Sequence, residues 1–262
     1  MGKYIRGGIL MEQSLNIRYI YHSSFSLEFE DKIIIFDYFQ GTLPKNVNDK
    51  KVIFVVTHSH ADHYNESIFD YENASDITYI VSEDVYEEVF DYDTKDNVVF
   101  LGQDNIEDLK KHFDKKVIKL EVGESTSVYG ADFTALGSTD MGISVYFEAN
   151  HLKFFFAGDL NNWVWEEDTE EEKEKMQQDF SKEIDKIGNV DIGFFPVDPR
   201  LKERYDLGVN EFVDKCNPKV LFPMHFTKDP TIVDTFIDTH DYEGCKIVNM
   251  KKEHDTFQVI IK

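Results

Sequence analysis

The pattern of apolar and polar positions predicts that the chain opens with β-strands. Residues 15–21 and 25–29 alternate between apolar and polar side chains. Residues 32–36, apolar after Lys32, form a short run expected to be buried, and residues 52–56 form a short apolar run. Alternation is typical of strands with one buried face, and short apolar runs are typical of buried strands. Residues 30 and 31 fit the turn of a hairpin between two of these strands.

Beyond residue 65 the same pattern predicts helices alternating with strands, and then a strand-rich stretch. Helices are predicted at residues 82–90, 104–113, within 166–187, 209–216 and 229–239. Strands are predicted at residues 77–81, 98–101, 116–121, 126–128, 132–136, 143–148, 152–156, 191–197, 219–222, 246–250 and 256–261. Since no short repeat or low-complexity linker divides the chain, we expect one domain over residues 15–262, preceded by an arm of residues 1–14.

Composition limits the partners of this chain. Its 262 residues are 41% hydrophobic and include 22 Phe, which is enough for a sizeable core. The formal charge is 28 basic minus 51 acidic residues, or −23. Such a charge disfavours nucleic acids and anionic membranes. A small-molecule substrate is the expected partner, and anionic substrates stay open because bound dications dominate the local potential of a site.

The cysteines and the hydropathy pattern predict a cytoplasmic location. Cys216 and Cys245 show no paired spacing, which argues against a disulfide framework. The chain has no run of eighteen apolar residues, and its first ten residues lack the features of a signal peptide. The sequence does not predict an oligomeric state.

One short motif at the exit of the 52–56 run carries the chemistry. It reads Thr57-His58-Ser59-His60-Ala61-Asp62-His63. Imidazole nitrogens and a carboxylate oxygen suit zinc above all, with iron or manganese as alternatives. In an extended loop His58 and His60 point to one side, so that Asp62 and His63 can serve a neighbouring position. One loop can therefore contribute to two metal sites.

The motif His-x-His-x-Asp-His after an apolar strand resembles the signature of the metallo-β-lactamase-fold hydrolases. His22-Ser23-Ser24-Phe25, followed by an apolar run that ends in Asp37-Tyr38, resembles the lactonase-like and phosphodiesterase-like branch of that superfamily. The resemblance spans about residues 15–261. It implies an α/β (α+β) fold, the four-layer αβ/βα sandwich, with the metals at one edge of the paired sheets.

The resemblance also implies the remaining ligands. Phe156-Ala157-Gly158-Asp159 places Asp159 where the family has a carboxylate that bridges two metals, and Pro223-Met224-His225-Phe226 places His225 at the last ligand position. Asp37 corresponds to a residue that braces the metal loop, although a turn residue at a strand end is an equal alternative. The implied sites are, first, His58, His60, Asp159 and provisionally Asp140, and second, Asp62, His63, Asp159 and His225.

The sequence departs from the family pattern in the middle of the chain. Most members supply another histidine there to the first site, but residues 136–144 contain none. Asp140 is the nearest substitute, with a turn-stabilising role as the alternative. If Asp140 is a ligand, two metals bind, one more weakly. If it is not, the protein binds a single metal when metal is scarce.

Two further residues are candidates for substrate binding. Arg200 follows the predicted strand 191–197, and its planar guanidinium can clamp an anionic group; a structural salt bridge is the alternative. Trp163 follows Asp159 and can wall a pocket with Trp165, although ordinary core packing is equally consistent with the sequence.

Together these features predict a zinc-dependent hydrolase. A metal-activated water is expected to attack a small ester, lactone or phosphodiester, anionic ones included, with Asp62 guiding the proton. A non-catalytic metal-binding protein is one alternative. A di-iron redox protein on the same fold is another, but a carboxylate at the second position of the motif would favour it, and that position is His60.

Overall fold

The computed structural model describes residues 13–90 and 115–261, which form two sheets of seven strands each. In chain order the strands are β1 Gln13–Tyr21, β2 Ser24–Glu28, β3 Lys32–Phe36, β4 Val47–Val56, β5 Ala74–Ser82, β6 Lys116–Leu120, β7 Ser125–Val128, β8 Ala131–Leu136, β9 Ser144–Ala149, β10 Leu152–Phe156, β11 Ile192–Pro196, β12 Val220–Met224, β13 Lys246–Ile247 and β14 Thr256–Ile261. The first sheet has the order β14-β1-β2-β3-β4-β5-β6, and the second has the order β13-β12-β11-β10-β9-β8-β7.

The helices of the described residues cover the outer faces of these sheets. They are α1 Glu83–Phe90, α2 Glu170–Ile184, α3 Leu207–Cys216 and α4 Thr231–Thr239, with 3₁₀ helices at Glu66–Asp70 and Pro199–Arg204. Helix α2 begins with a capping box, in which the Thr169 side chain accepts from the Glu172 amide and the Glu172 side chain accepts from the Thr169 amide. Within the described part of the chain, no helix has the length and apolar character needed to cross a membrane.

The core explains why residues 33–36 of strand β3 are all apolar. Alternate residues of a strand face opposite sides of the sheet. Ile34 and Phe36 belong to the cluster between the two sheets, and Ile33 and Ile35 belong to a second cluster on the outer face of the first sheet. The rings of Phe36 and Phe156 stack across the sheets with centroids 4.4 Å apart. Both faces of β3 are therefore buried.

The layers follow from this packing. Val85 and Val89 of α1 join the outer cluster of the first sheet. Phe212 of α3 stacks on Phe195 of β11 with ring centroids 4.8 Å apart, on the outer side of the second sheet. Helices thus flank two face-to-face sheets, and the predicted four-layer αβ/βα sandwich is confirmed.

The directions of the strands place the loops at their carboxyl ends along one edge of the sheets. Strands β3 to β6 run parallel to one another, and so do β10 to β13. Strand β1 also runs parallel to β3, because both pair antiparallel with β2. The carboxyl ends of parallel strands lie at the same edge of a sheet, where ligand sites of α/β proteins form.

Most predicted elements agree with the structure to within a few residues. Strand β4 begins earlier than predicted, and β13 ends at Ile247 although the prediction extended to residue 250. Strand β1 begins at Gln13, so residues 13 and 14 of the predicted arm pair with β14. Residues 1–12, the predicted strand 98–101 and the predicted helix 104–113 lie outside the described residues.

Candidate metal centre

The loop after β4 is held by a buried carboxylate at the end of β3. Asp37 accepts hydrogen bonds from the Thr57 amide (2.8 Å) and the Thr57 hydroxyl (2.7 Å). It also lies 2.8 Å from Nδ1 of His63. These contacts are the bracing that the resemblance implied for Asp37. A carboxylate behind a histidine ring fixes both the tautomer and the orientation of that ring.

Four buried imidazoles converge at this edge of the sheets. They belong to His22, His58, His63 and His225. Each Nδ1 atom is within 3.0 Å of an oxygen, contributed in turn by Thr227, Thr57, Asp37 and Asp198. A proton on Nδ1 satisfies these contacts and leaves the lone pair of Nε2 pointing into the site. All four Nε2 atoms are buried and have no hydrogen-bond partner among the described residues.

Asp159 lies at the centre of this cluster. Its Oδ1 atom is 3.0 Å from Nε2 of His63 and 3.3 Å from Nε2 of His225. Its Oδ2 atom is 3.4 Å from Nε2 of His58 and 4.0 Å from Nδ1 of His60. Tetrahedral ligands of one zinc ion are roughly 3.3 Å apart. The two oxygens therefore face two different groups of histidines at ligand-to-ligand distances, which is the arrangement of a bridging carboxylate.

Two glycines let neighbouring loops approach Thr57. Gly158 has φ +54°, and a Cβ atom there would lie 2.8 Å from Oγ1 of Thr57. Gly142 has φ +73°, and its Cβ would lie 2.1 Å from the Thr57 carbonyl oxygen. Any larger side chain at either position would collide with the metal loop. The close approach brings Asp159, which follows Gly158, against the histidines of that loop.

The donor atoms fall into two groups that suit metal ions. Within each group the donors lie within 4.8 Å of one another. The groups are, first, His58, His60 and Asp159, and second, His22, Asp62, His63 and His225. A third group formed by Asp37, His58 and His63 is already joined by the hydrogen bonds of Asp37 and Thr57. Mixed imidazole and carboxylate donors fit zinc or a related divalent ion.

Of the predicted ligands, only Asp140 lies apart from these groups. His58, His60, Asp62, His63, Asp159 and His225 all belong to them. The exposed Asp140 acts on the cluster electrostatically: the pKa of His60 is raised by Asp159 first and also by the charge of Asp140. His60 and Asp62 are the solvent-facing members, with side chains 40% and 49% exposed.

The histidines and aspartates of the cluster shift one another's pKa values. Burial alone would lower the pKa of His63, but the carboxylates of Asp159 and Asp37 outweigh burial and raise that pKa to about 10. Burial would raise the pKa of Asp159, yet the surrounding histidines hold it well below its usual range. The close contact with His22 lowers the pKa of Asp62, and burial lowers the pKa of His22. A cation bound here therefore replaces protons held by the imidazoles.

Arg200 and the two tryptophans flank His225. The Arg200 guanidinium grips Asp198 through Nε (2.8 and 3.0 Å) and Nη2 (2.5 Å), and Asp198 in turn lies 2.8 Å from Nδ1 of His225. The guanidinium also lies 5.7 Å from the ring centres of Trp163 and Trp165. Trp163 donates to the Asp159 carbonyl (2.8 Å) and meets the His225 ring edge-on.

A cavity of about 270 Å³ adjoins this group and is lined by Thr139, Asp140, Trp163, Trp165, Met176 and Arg200. Both predicted substrate-binding residues thus line one cavity beside the cluster. The structure also gives Arg200 the salt bridge that was the alternative interpretation. Recognition of substrate by Arg200 stays a prediction.

Sequence reasoning assigned no role at the site to His22 or Asp198. His22 occupies the turn between β1 and β2, and Asp198 follows β11. Each is a polar residue just beyond the carboxyl end of a strand that runs toward this edge. That position was the available signal, but it depends on knowing the strand order.

The fold and the buried cluster of histidine and aspartate donors define a metal-dependent hydrolase of the metallo-β-lactamase type. The sequence model of a family described as the beta-lactamase superfamily domain matches residues 16–225. The chain therefore belongs to that family. No curated protein is significantly similar to it in sequence.

Solved structures share this fold at low sequence identity. Igni18, a metallo hydrolase from the hyperthermophilic archaeon Ignicoccus hospitalis, is 14% identical with a TM-score of 0.59, over 95% of this chain and 100% of its own. CmlA, a diiron β-hydroxylase from Streptomyces venezuelae, is 15% identical with a TM-score of 0.59, over 95% of this chain and 54% of its own. YhfI, a metallo-β-lactamase fold protein from Bacillus subtilis, is 11% identical with a TM-score of 0.53, over 94% of this chain and 99% of its own.

Proposed function

We propose that the protein is a zinc-dependent hydrolase of the lactonase-like and phosphodiesterase-like branch, acting on small esters, lactones or phosphodiesters, anionic ones included. The observation that carries this proposal is the set of buried atoms without hydrogen-bond partners, namely Nε2 of His22, His58, His63 and His225 and Oδ1 of Asp159. Leaving such polar atoms buried and unpaired costs about 1–3 kcal/mol each. A bound cation removes this cost.

Zinc is the metal that this donor set favours. When bound at such a site, zinc supplies a water that is acidic near neutral pH and polarises a carbonyl or phosphoryl oxygen. The second position of the motif is the imidazole of His60 rather than a carboxylate, which argues against the di-iron alternative. The oxygens of Asp159 face both donor groups and so support two adjacent metal positions.

The chain's own residues hold the reacting groups. Asp62 is half-exposed and kept ionised by its contact with His22, so it can accept a hydrogen bond from the attacking water and guide its proton. Trp163 is almost fully buried against His225 and excludes bulk water on that side.

The cavity beside His225 supports an anionic substrate. Arg200 is 43% exposed, and its guanidinium is fixed in place by Asp198 and the two indoles. A guanidinium held in this way can donate to a carboxylate or phosphate without losing much conformational freedom. The substrate's anionic group would lie against Arg200, and its scissile bond near Asp159.

A direct assay tests the proposal. Zinc-loaded protein is incubated with a phosphodiester, a lactone, a thioester and a β-lactam, beside the variants Asp159→Asn and His151→Gln. We expect turnover of the phosphodiester or the lactone, a loss on the order of 10²-fold or more in Asp159→Asn, and wild-type activity in His151→Gln, which alters an exposed turn residue. Metal bound without any turnover would support a non-catalytic metal-binding protein, and turnover that requires iron and oxygen would support the di-iron alternative.

A further inference from the structure

The donor groups are unequal in size, and the larger one contains a residue that is not among the ligands implied by the resemblance. The group of His58, His60 and Asp159 has three donors, since no histidine occurs in residues 136–144. The other group has four, because His22 joins Asp62, His63 and His225. The histidine missing from one site is thus matched by an additional histidine at the other.

We propose that His22 is a ligand of the metal bound by Asp62, His63 and His225. This inference rests on the proposed metal-dependent function. His22 is 5% exposed, and its Nε2 atom is buried without a hydrogen-bond partner among the described residues. That atom lies 3.4 Å from Oδ2 of Asp62, close to the roughly 3.3 Å between ligands of one tetrahedral zinc ion. The His22 ring centre is 4.1 Å from that of His225 and 5.6 Å from that of His63.

The backbone at His22 is built to hold the ring in this place. His22 adopts φ +55°, a left-handed conformation that costs a non-glycine residue about 1–3 kcal/mol. Its amide donates to the hydroxyl of Tyr19 (2.8 Å), and its carbonyl accepts from the amide of His225 (3.4 Å). On the outer side of the ring, Oγ1 of Thr227 lies 2.8 Å from Nδ1. Contacts on every side thus orient Nε2 toward the neighbouring donors.

With His22 as a ligand, the two sites differ in whether they keep an open coordination position. Zinc sites with four protein ligands are closed, whereas catalytic sites keep an open position for water or substrate. With His22, the site of Asp62, His63 and His225, which Oδ1 of Asp159 also faces, is filled by protein donors. The site of His58, His60 and Asp159 has only three donors and keeps an open position. We therefore expect the His22 site to bind zinc more tightly and the other site to exchange its zinc readily.

Zinc binding is the readout that tests this inference. Zinc is titrated into metal-free protein against a chromophoric chelator, and cobalt absorption spectra report the ligands. In His22→Gln the amide can still reach Thr227, but glutamine is a poor zinc ligand. We expect the tighter site to weaken by more than about 100-fold, with a changed cobalt spectrum, while the weaker site and the circular dichroism spectrum stay the same.

Two other variants serve as comparisons. His151→Gln makes the same change at an exposed turn and should match the wild type. Asp140→Asn tests the competing ligand, and it should leave both affinities unchanged. Wild-type zinc binding in His22→Gln, or a loss in Asp140→Asn instead, would overturn the role of His22 while leaving the proposed function intact. A wild-type protein that binds no zinc would overturn the proposed function itself.

If His22→Gln does not fold, Thr227→Val takes its place. This substitution keeps the side-chain shape and removes only the hydroxyl behind His22. We expect the tighter site to weaken on the order of 10- to 100-fold, as for other groups that orient metal ligands. An unchanged affinity in Thr227→Val would contradict the proposal.

Discussion

At the scale of single residues, the site is organised by oxygen atoms behind the histidines. Asp37, Asp198, Thr57 and Thr227 each occupy the Nδ1 side of an imidazole. Such partners fix the tautomer before any cation arrives, so the cost of orienting the ligands is met during folding. The site is therefore preorganised by residues that do not themselves face the cation.

Arg200→Lys tests substrate recognition at this scale. Lysine keeps the positive charge but lacks the planar guanidinium of arginine. It therefore cannot donate hydrogen bonds to Asp198 and to an anionic group at the same time. We expect KM for an anionic substrate to rise about tenfold, and more than KM for a neutral analogue, as steady-state kinetics on both substrates would measure.

Arg204→Lys is the matched control, because Arg204 belongs to the same 3₁₀ helix. It should leave both KM values unchanged. If Arg200→Lys changes KM equally for the two substrates, or changes neither KM, Arg200 has only the structural role of supporting Asp198.

At the scale of elements, the site depends on loops that pack backbone against backbone. The amide of Ile143 donates to the carbonyl of Thr57 (3.0 Å), and Gly142 provides the room for this contact. The loop that lacks the family histidine therefore still supports the metal loop, through its backbone rather than through a ligand.

Gly142→Ala tests this support. The new Cβ would lie 2.1 Å from the Thr57 carbonyl oxygen and 2.5 Å from Cβ of His58, in addition to the strain of φ +73°. Gly188→Ala is the matched control, because Gly188 has φ +72° with open space around it. We expect Gly188→Ala to lower the free energy of unfolding by about 1–2 kcal/mol, and Gly142→Ala to lower it by clearly more and to weaken zinc binding as well. Equal losses in urea titrations of the metal-free proteins would contradict the steric argument.

Asp191 connects neighbouring strands of the second sheet. Its ionisation should make the free energy of unfolding depend on pH. Its carboxylate accepts from the Lys153 amide (2.9 Å) and from Nζ of Lys219 (2.7 Å). Burial would raise the pKa of Asp191, but Lys219 and the amide outweigh burial and lower it. A carboxyl whose pKa is lowered by folding adds stability above its unfolded pKa of about 3.9. This contribution is lost as the pH falls through the folded pKa.

Asp191→Asn should therefore cost about 1–2 kcal/mol at pH 7, and the difference from the wild type should shrink as the pH falls below about 4. Urea titrations at several pH values measure both effects. Asp238→Asn, at an exposed position of α4, is the control and should change little at any pH. A difference that is independent of pH would show that the charge of Asp191 contributes nothing.

At the scale of the whole molecule, the metal centre joins the two sheets. His58 and His63 follow β4 of the first sheet, whereas Asp159 and His225 follow β10 and β12 of the second. A cation held by His58 and Asp159, or one held by His63 and His225, is a cross-link between the halves of the sandwich. It also offsets part of the net charge of −23, which disfavours the compact state by self-repulsion.

Chelation should therefore destabilise the entire fold. A metal that binds only the folded state at 100 times its Kd adds about 2.7 kcal/mol, so a chelator should lower Tm and added zinc should restore it. Differential scanning calorimetry measures the shift, and Asp159→Asn should respond less than the wild type. A melting curve that is the same with and without chelator would contradict metal binding.

Features encoded within short stretches of the chain were predictable, whereas contacts between distant residues were not. Strand β3 and the His58-to-His63 motif were predictable because apolar periodicity and ligand spacing are properties of short stretches. The positions of Asp159 and His225 followed from the resemblance. The role of Asp37 was one of two alternatives, and its contact with Thr57 across 20 residues decided between them.

The sequence by itself determined the order of the elements, the metal-binding motif and the fold class, since each of these is encoded within a few residues or in a family pattern. Only the tertiary structure decided that His22 meets Asp62, His63 and His225, that Asp198 lies behind His225, and that Asp140 stays apart. His22 and its partner Thr227 are 205 residues apart, and their contact depends on the parallel directions of distant strands. Local patterns carry no information about such directions, because pairing and packing of the complete chain establish them.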